Sequence, residues 1–126
     1  MSTGKKNVIL KKGMLMKCSK YLGNWKERFI VLTNERFLTY EAMDKDANCT
    51  ADLFLVEMED FNKSTDEESN EFTFMSDGKL YKFRAPDKET LNDWVSAIES
   101  ALEEMKKSLA LVSSYTDSKV EVSPDK

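Results

Sequence analysis

The chain has 126 residues, enough for one domain with a sizeable core, and its 33% charged and 40% hydrophobic residues are typical of a soluble globular protein. The net charge of −4 argues against a general nucleic-acid binder. With no histidine, two cysteines and four dispersed glycines, the chain offers no metal-ligand cluster and no phosphate-cradling glycine motif, so we expect neither an enzyme nor a cofactor. No signal peptide or membrane span is recognisable, which predicts a cytoplasmic location.

The charge is concentrated at one end of the sequence. Residues 1–28 carry eight of the 19 basic side chains and a single acid, Glu27, whereas the rest of the chain is acidic. Such an asymmetry suggests an anionic partner at a basic pole. A solvated strand end balanced by acidic loops is the alternative interpretation.

Hydrophobic alternation and turn residues predict about seven strands, the spacing of a β-barrel or sandwich. A loop centred on Gly23 and Asn24 separates the first two strands, and an Asp77-Gly78 hairpin turn separates the last two. The predicted strands are Val8–Lys17, Trp25–Leu32, Arg36–Glu41, Ala51–Val56, Glu57–Asn62, Glu71–Met75 and Leu80–Arg84.

One amphipathic helix is predicted to follow the strands, beginning near Asp87 and ending near Ser108. Its apolar residues recur at helical spacing, which indicates a core-facing stripe. Residues 1–7 and 109–126 are expected to be a flexible basic N-terminus and a flexible tail around a domain at 8–108. The stripe comprises Leu91, Trp94, Val95, Ile98, Ala101, Leu102 and Met105.

The first hairpin places cations on a face that is otherwise apolar. Period-two alternation puts Lys17 on the face of Leu15, and puts Lys26 and Arg28 on the face of Ile30. Because the strands are antiparallel, the three cations converge at one end of the barrel. A compact polyanion with several phosphates would neutralise them together, although ordinary rim cations paired with loop acids would have the same spacing.

The motifs Gly13-Met14-Leu15-Met16-Lys17 and Asn24-Trp25-Lys26-Glu27-Arg28-Phe29-Ile30-Val31-Leu32 carry a resemblance to a known family. Together with Phe37-Leu38-Thr39-Tyr40 and a late helix bearing Trp94, they resemble the pleckstrin homology (PH) domain over residues 8–108. The resemblance implies a mainly β fold: a seven-stranded, bent antiparallel barrel or sandwich capped by a C-terminal α-helix.

The resemblance also implies a phosphoinositide site, because Lys17, Lys26 and Arg28 match the family's signature residue by residue. Lys20 lies in the loop that covers the headgroup in such members, and Tyr21 and Leu22 beside it are candidates for membrane contact or, equally, for loop packing. Further candidates for auxiliary contacts are Thr39, Lys45 and Lys79.

Departures from the signature weaken the expected preference for 3-phosphates. Thr39 stands at the inward position where strong binders of that class often have tyrosine, although a one-residue slip would bring Tyr40 there. Glu41 follows on the same face, and the start of the fourth strand offers Thr50 and Ala51 where a basic residue is often found.

The expected function is therefore reversible docking of a monomer on anionic, phosphoinositide-bearing membrane, the plasma membrane first among these, with an adaptor or signalling role. The alternative is a protein-interaction module of the same fold with little specific lipid binding, in which the acidic stretch 57–71 contacts the partner. Removal of Lys17 and Arg28 distinguishes the two hypotheses, because partner binding that persists without them would contradict the lipid-docking hypothesis.

Overall fold

The computed structural model describes residues 8–19 and 23–122. Seven antiparallel strands form one non-closed sheet in the order β4-β3-β2-β1-β7-β6-β5, followed by a C-terminal helix. The mainly β architecture predicted above is thus confirmed. The elements are β1 Ile9–Cys18, β2 Trp25–Thr33, β3 Arg36–Tyr40, β4 Cys49–Phe54, β5 Met58–Lys63, β6 Glu71–Ser76, β7 Lys79–Arg84 and α1 Lys88–Val122.

The strand boundaries follow the alternation of apolar and polar residues. In β6, for example, Phe72 and Phe74 are buried while Thr73 between them is partly exposed. A 3-10 helix, Leu55–Glu57, lies between β4 and β5, where the sequence predicts one strand directly following another. It carries Leu55 into the core, and α1 packs against it.

The core fills the space between the inward sheet face and α1. Phe37 makes edge-on contacts with Phe74 and Phe83, with ring centroids 5.3 and 5.2 Å apart. Trp94 of α1 is 1% exposed and lies against Gly13 of β1. The predicted helical stripe is confirmed, with Leu102 and Met105 only partly buried at its end.

Asp87 caps the N-terminus of α1. Its carboxylate accepts a hydrogen bond from the Thr90 amide at 2.7 Å, and its carbonyl accepts the first helical bond, from the Leu91 amide. This bond to the charged form lowers the pKa of the Asp87 carboxyl below 3.8. The cap explains why the helix begins where the sequence predicts.

The predicted end of the helix is wrong, because α1 continues past Ser108 to Val122. Neither glycine nor proline occurs between Lys88 and Val122, so no residue type that breaks helices stops it at the domain surface. α1 thus includes residues 109–122 of the segment expected to be a flexible tail, and the flexibility of that segment stays a prediction. Residues 1–7 and 123–126 lie outside the described residues.

Candidate functional site

Strand register brings the cations of the first hairpin together. Lys17 lies directly opposite Lys26, and Leu15 lies opposite Arg28. Leu15 is buried on the inward face of the sheet, so Arg28 and the Lys17–Lys26 pair lie on the same face, towards its solvent-exposed end. The ends of the connecting loop are joined by a bond from the Ser19 amide to the Asn24 carbonyl, at 2.6 Å.

An open pocket of about 310 Å³ lies at this end of the sheet. Four of its lining residues are cationic and, among the described lining residues, none is acidic. The β1–β2 end supplies one wall, β7 a second, and Thr50 of β4 a third. The pocket is lined by Lys17, Cys18, Ser19, Lys26, Arg28, Thr50, Lys79, Leu80 and Tyr81.

One cation of the pocket, Lys17, is partly withdrawn from solvent. It is half-buried, and its Nζ lies 5.4 Å from the centroid of the Tyr81 ring. Burial, and then the positive charge of Arg28, lower its pKa below 10.5. None of the described residues that line the pocket with Lys17 carries a negative charge.

Arg28 is positioned by the backbone. Its Nη1 donates a hydrogen bond of 2.8 Å to the carbonyl oxygen of Glu27. A guanidinium held in this way retains other N–H groups for a planar, bidentate contact with phosphate. Lys26 is exposed and reaches the same pocket from the strand position opposite Lys17.

Trp25 anchors the cationic end of the hairpin from the outer side. The Arg84 guanidinium lies over its ring at 3.9 Å and forms an ion pair with Glu71 at 3.1 Å. The contact ties β2 to β6 and β7. It therefore holds the start of β2, next to Lys26, against the last residue of β7.

The auxiliary positions divide into two groups. Lys79 lies in the pocket, at the start of β7 after a turn in which Asp77 and Gly78 both have positive φ, as the Asp-Gly hairpin prediction requires. Lys45 does not reach the pocket; it lines a separate groove on the outer face of β1–β3, because the β3–β4 connection carries it there.

The predicted register of β3 is confirmed. Thr39 is fully buried, and its hydroxyl is hydrogen-bonded at 2.5 Å to the hydroxyl of Thr50. Thr39 therefore helps to position Thr50, which lines the pocket. Tyr40 points to the outer groove. The exposed side chain of Glu41, expected on the inward face after Thr39, accepts a hydrogen bond from Asn48 and does not line the pocket.

Three predicted site residues, Lys20, Tyr21 and Leu22, lie outside the described residues. Conversely, the sequence analysis did not identify Tyr81 and Leu80 as pocket residues. It noted Thr50 only because a basic residue is often found at that position at the start of the fourth strand. Alternation from the buried Phe83 would have placed Tyr81 on the inward face. Nothing local in the sequence shows that β7 borders the pocket, because β1 and β7 are distant in the chain.

The desolvated charge of Lys17 predicts a stabilised variant. Lys17→Met keeps most of the side-chain volume and removes a charge that the folded state disfavours, so the midpoint of thermal unfolding should rise by about 1–3 °C at neutral pH. Between the lowered pKa of Lys17 and 10.5, the unfolded chain binds more protons than the folded chain, so the stability of wild type rises with pH. The stability advantage of Lys17→Met over wild type therefore shrinks at alkaline pH.

Scanning calorimetry at neutral and at alkaline pH checks this prediction, with Lys12→Met, on the exposed outer face, as the control. A midpoint below that of wild type at neutral pH would contradict it.

Comparison with known proteins identifies the class. Residues 9–103 match the family model of the PH domain, and the chain therefore belongs to the PH domain family. PH domains are generally non-enzymatic binding modules. No match was found among curated protein sequences.

Solved structures show the same fold at low sequence identity. The Slm1 PH domain in complex with inositol-4-phosphate aligns with a TM-score of 0.64 and 20% identity, over 74% of this chain and 95% of that one. The C-terminal PH domain of pleckstrin in complex with D-myo-Ins(1,2,3,4,5)P5 gives 0.62 and 21%, over 75% and 98%. The human ARHGEF11 DH/PH domain, in a complex with RhoA, gives 0.65 and 14%, over 78% and 30%.

Within the described part of the chain, no helix combines the length and apolar character needed to span a bilayer.

Proposed function

We propose that the chain is a phosphoinositide-binding module that docks reversibly on membranes through the pocket at the β1–β2 end. Lys17, Lys26 and Arg28 are the phosphate ligands, and Lys79 and Lys20 are auxiliary cations. The observation that carries the proposal is the convergence of four cations around an open pocket whose described lining contains no acid.

The chemistry favours clustered phosphates over a single carboxylate. Burial and, after it, the positive charge of Arg28 lower the pKa of Lys17, and Lys26 lies across from Lys17. An inositol ring that carries several phosphates supplies negative charge to all of them at once, and Arg28 can bind one phosphate with two N–H groups. Binding converts a repulsive cluster into a neutralised one.

Two structural neighbours support this ligand class. The Slm1 PH domain and the C-terminal PH domain of pleckstrin are both described in complex with an inositol phosphate. In this chain the β4 side of the pocket is uncharged, since Thr50 lies there and Lys45 faces the outer groove. We therefore expect binding of several phosphoinositides without strong 3-phosphate selectivity.

The membrane role follows from the ligand. Basic residues near an anionic cytoplasmic leaflet contribute about 1 kcal/mol each, so a cluster of four supports a reversible peripheral association. The proposed location is the cytoplasmic face of the plasma membrane, with the remainder of the molecule free to act as an adaptor in signalling.

The test is co-sedimentation of the wild-type chain with vesicles at near-physiological salt. One set contains phosphatidylcholine and phosphatidylserine, and the others contain in addition one phosphoinositide each. We expect binding that requires a phosphoinositide and is competed by soluble inositol polyphosphates. Equal binding to all vesicles, or none, would refute the proposal and favour the protein-interaction module.

A further inference from the structure

Tyr81 lies in the pocket at the point where β7 approaches Lys17. Lys17 of β1 is directly opposite Phe83 of β7, and Tyr81 lies two positions before Phe83 on the same strand. Side chains two apart share a face, so Tyr81 lies on the inward face and is the diagonal neighbour of Lys17. Diagonal neighbours in an antiparallel pair are about 7–8 Å apart, within reach of an aromatic and a long side chain. The register of β1 with β7 therefore brings the two side chains together in the pocket lining.

The hydrophobic core holds the Tyr81 ring in place. The ring stacks on that of Phe74, with centroids 5.4 Å apart and planes at 19° to each other. Phe74 is fully buried, pairs directly with Tyr81 across β6 and β7, and stacks in turn on Phe83. A ring that rests on a close-packed core has few other rotamers available. Tyr81, which is partly exposed, is thus a rigid part of the pocket wall.

The Lys17 ammonium lies over this ring, with Nζ 5.4 Å from the ring centroid. The negative face of an aromatic ring attracts a cation, and the attraction increases as the cation loses water. Lys17 is half-buried and repelled by Arg28, and no acid is found among the described residues that line the pocket. The Tyr81 ring therefore supplies an attraction that no carboxylate of this lining provides.

Two cations of the pocket are held in place, one from each wall. A backbone carbonyl fixes Arg28 on β2, and the Tyr81 ring holds Lys17 from β7. Lys26 and Lys79, by contrast, are exposed, and an exposed lysine samples many rotamers. Ordering such a side chain on a ligand costs conformational entropy that a positioned side chain has already lost.

We propose that Tyr81 is the positioning residue of the headgroup pocket: its ring holds the Lys17 ammonium at the point where a phosphate of the inositol lipid binds. This role rests on the proposed function, because a positioned ammonium strengthens binding only if an anion occupies the pocket. In the complex the ammonium lies between the ring and the phosphate, and it keeps the aromatic contact because it stays charged.

A positioning role concerns the headgroup and not the surrounding bilayer. Loss of the Tyr81 ring should therefore weaken the binding of a soluble inositol phosphate and of phosphoinositide vesicles by a similar factor. A side chain that inserts into the bilayer would instead affect binding to vesicles alone.

Calorimetric titration of the full chain with inositol hexakisphosphate measures this contribution. Tyr81→Leu removes the ring but keeps an apolar side chain against Phe74, and it should bind about 3- to 10-fold more weakly than wild type. Tyr81→Phe keeps the ring and should stay within about twofold of wild type. Tyr40→Leu is the matched control, because Tyr40 is also partly exposed but lies in the outer groove.

A double-mutant cycle with Lys17→Met separates positioning from a structural role. Without the ammonium the ring has no cation to hold, so Tyr81→Leu in the Lys17→Met chain should change the affinity by less than about twofold. Low ionic strength strengthens the binding of a polyanion and keeps the weak affinity of that chain measurable. Circular dichroism confirms that each variant is folded.

Proton NMR gives a signature that does not depend on the ligand. The ε-methylene protons of Lys17, next to the ammonium, should be shifted upfield by the ring current of residue 81 in wild type and in Tyr81→Phe. The shift should disappear in Tyr81→Leu, and the resonance itself is identified by its loss in Lys17→Met.

The possible failures are distinguishable. Equal losses from Tyr81→Leu with and without Lys17, or equal losses in Tyr81→Leu and Tyr81→Phe, would overturn the positioning role while the phosphoinositide function stands. An effect on vesicles alone, or unshifted Lys17 resonances in wild type, would overturn it in the same way. A wild-type chain that binds neither inositol hexakisphosphate nor phosphoinositide vesicles would refute the proposed function, and the positioning role with it.

Discussion

Lys17→Ala/Arg28→Ala should bind phosphoinositide vesicles at least about 100-fold more weakly than wild type. Each residue is expected to make a charge-assisted hydrogen bond to phosphate, and such bonds contribute about 1.5–3 kcal/mol each. Two of them amount to at least about 3 kcal/mol, and every 1.4 kcal/mol is tenfold in affinity. Co-sedimentation and calorimetric titration with a soluble inositol polyphosphate measure the loss.

The matched control is Lys12→Ala/Lys82→Ala. It removes the same two positive charges from the outer face of the sheet, where Lys12 and Lys82 lie opposite Val31 and Thr73 and outside the pocket. If attraction to the membrane depends on net charge alone, both double variants lose binding equally, and the assignment of the pocket is then wrong. Retained binding in the control alone supports specific phosphate contacts.

Trp94→Ala should have the largest effect on stability of any single substitution considered. Trp94 is 1% exposed and joins α1 to β1, with Gly13 beneath its ring and the Lys11 ammonium 5.3 Å from its centroid. Truncation of a buried aromatic side chain of this size costs about 3–5 kcal/mol, a large part of the 5–15 kcal/mol that holds a domain folded.

Urea unfolding followed by circular dichroism measures this loss, and Trp94→Phe, which refills part of the cavity, should lose less. Leu80→Ala serves as the control because Leu80 is 53% exposed, and its change in the free energy of unfolding should stay within about 0.5 kcal/mol. A Trp94→Ala variant as stable as wild type would mean that α1 is not the element that closes the core.

Much of the fold could be predicted where one face of a strand is buried. The alternation of Phe72 and Phe74 with partly exposed neighbours locates β6, and Asp77-Gly78 locates its turn. The 3-10 helix Leu55–Glu57 could not be predicted, since a short apolar run between two strands has no period of its own. The length of α1 was missed because polar residues suggested a tail, although nothing in that segment breaks a helix.

The site could be predicted in part, because its principal cations occupy one hairpin. The pairing of Lys17 with Lys26 follows from alternation and a short loop, both of which are local. Tyr81 and Thr50 line the same pocket because the sheet brings parts of β7 and β4 to the same end of the fold. No local sequence pattern encodes that arrangement. For the same reason the sequence could not show that Lys45 faces the outer groove.

The half-buried position of Lys17 makes ligand binding and proton binding linked equilibria. Burial and Arg28 hold the pKa of Lys17 below 10.5 in the structure. A phosphate in contact with the ammonium would raise that pKa again, so the complex would hold a proton more firmly than the free domain does. Linkage is reciprocal, so a more alkaline solution should weaken the proposed headgroup binding. The expected loss of binding with rising pH coincides with the loss of the positive charge on Lys17.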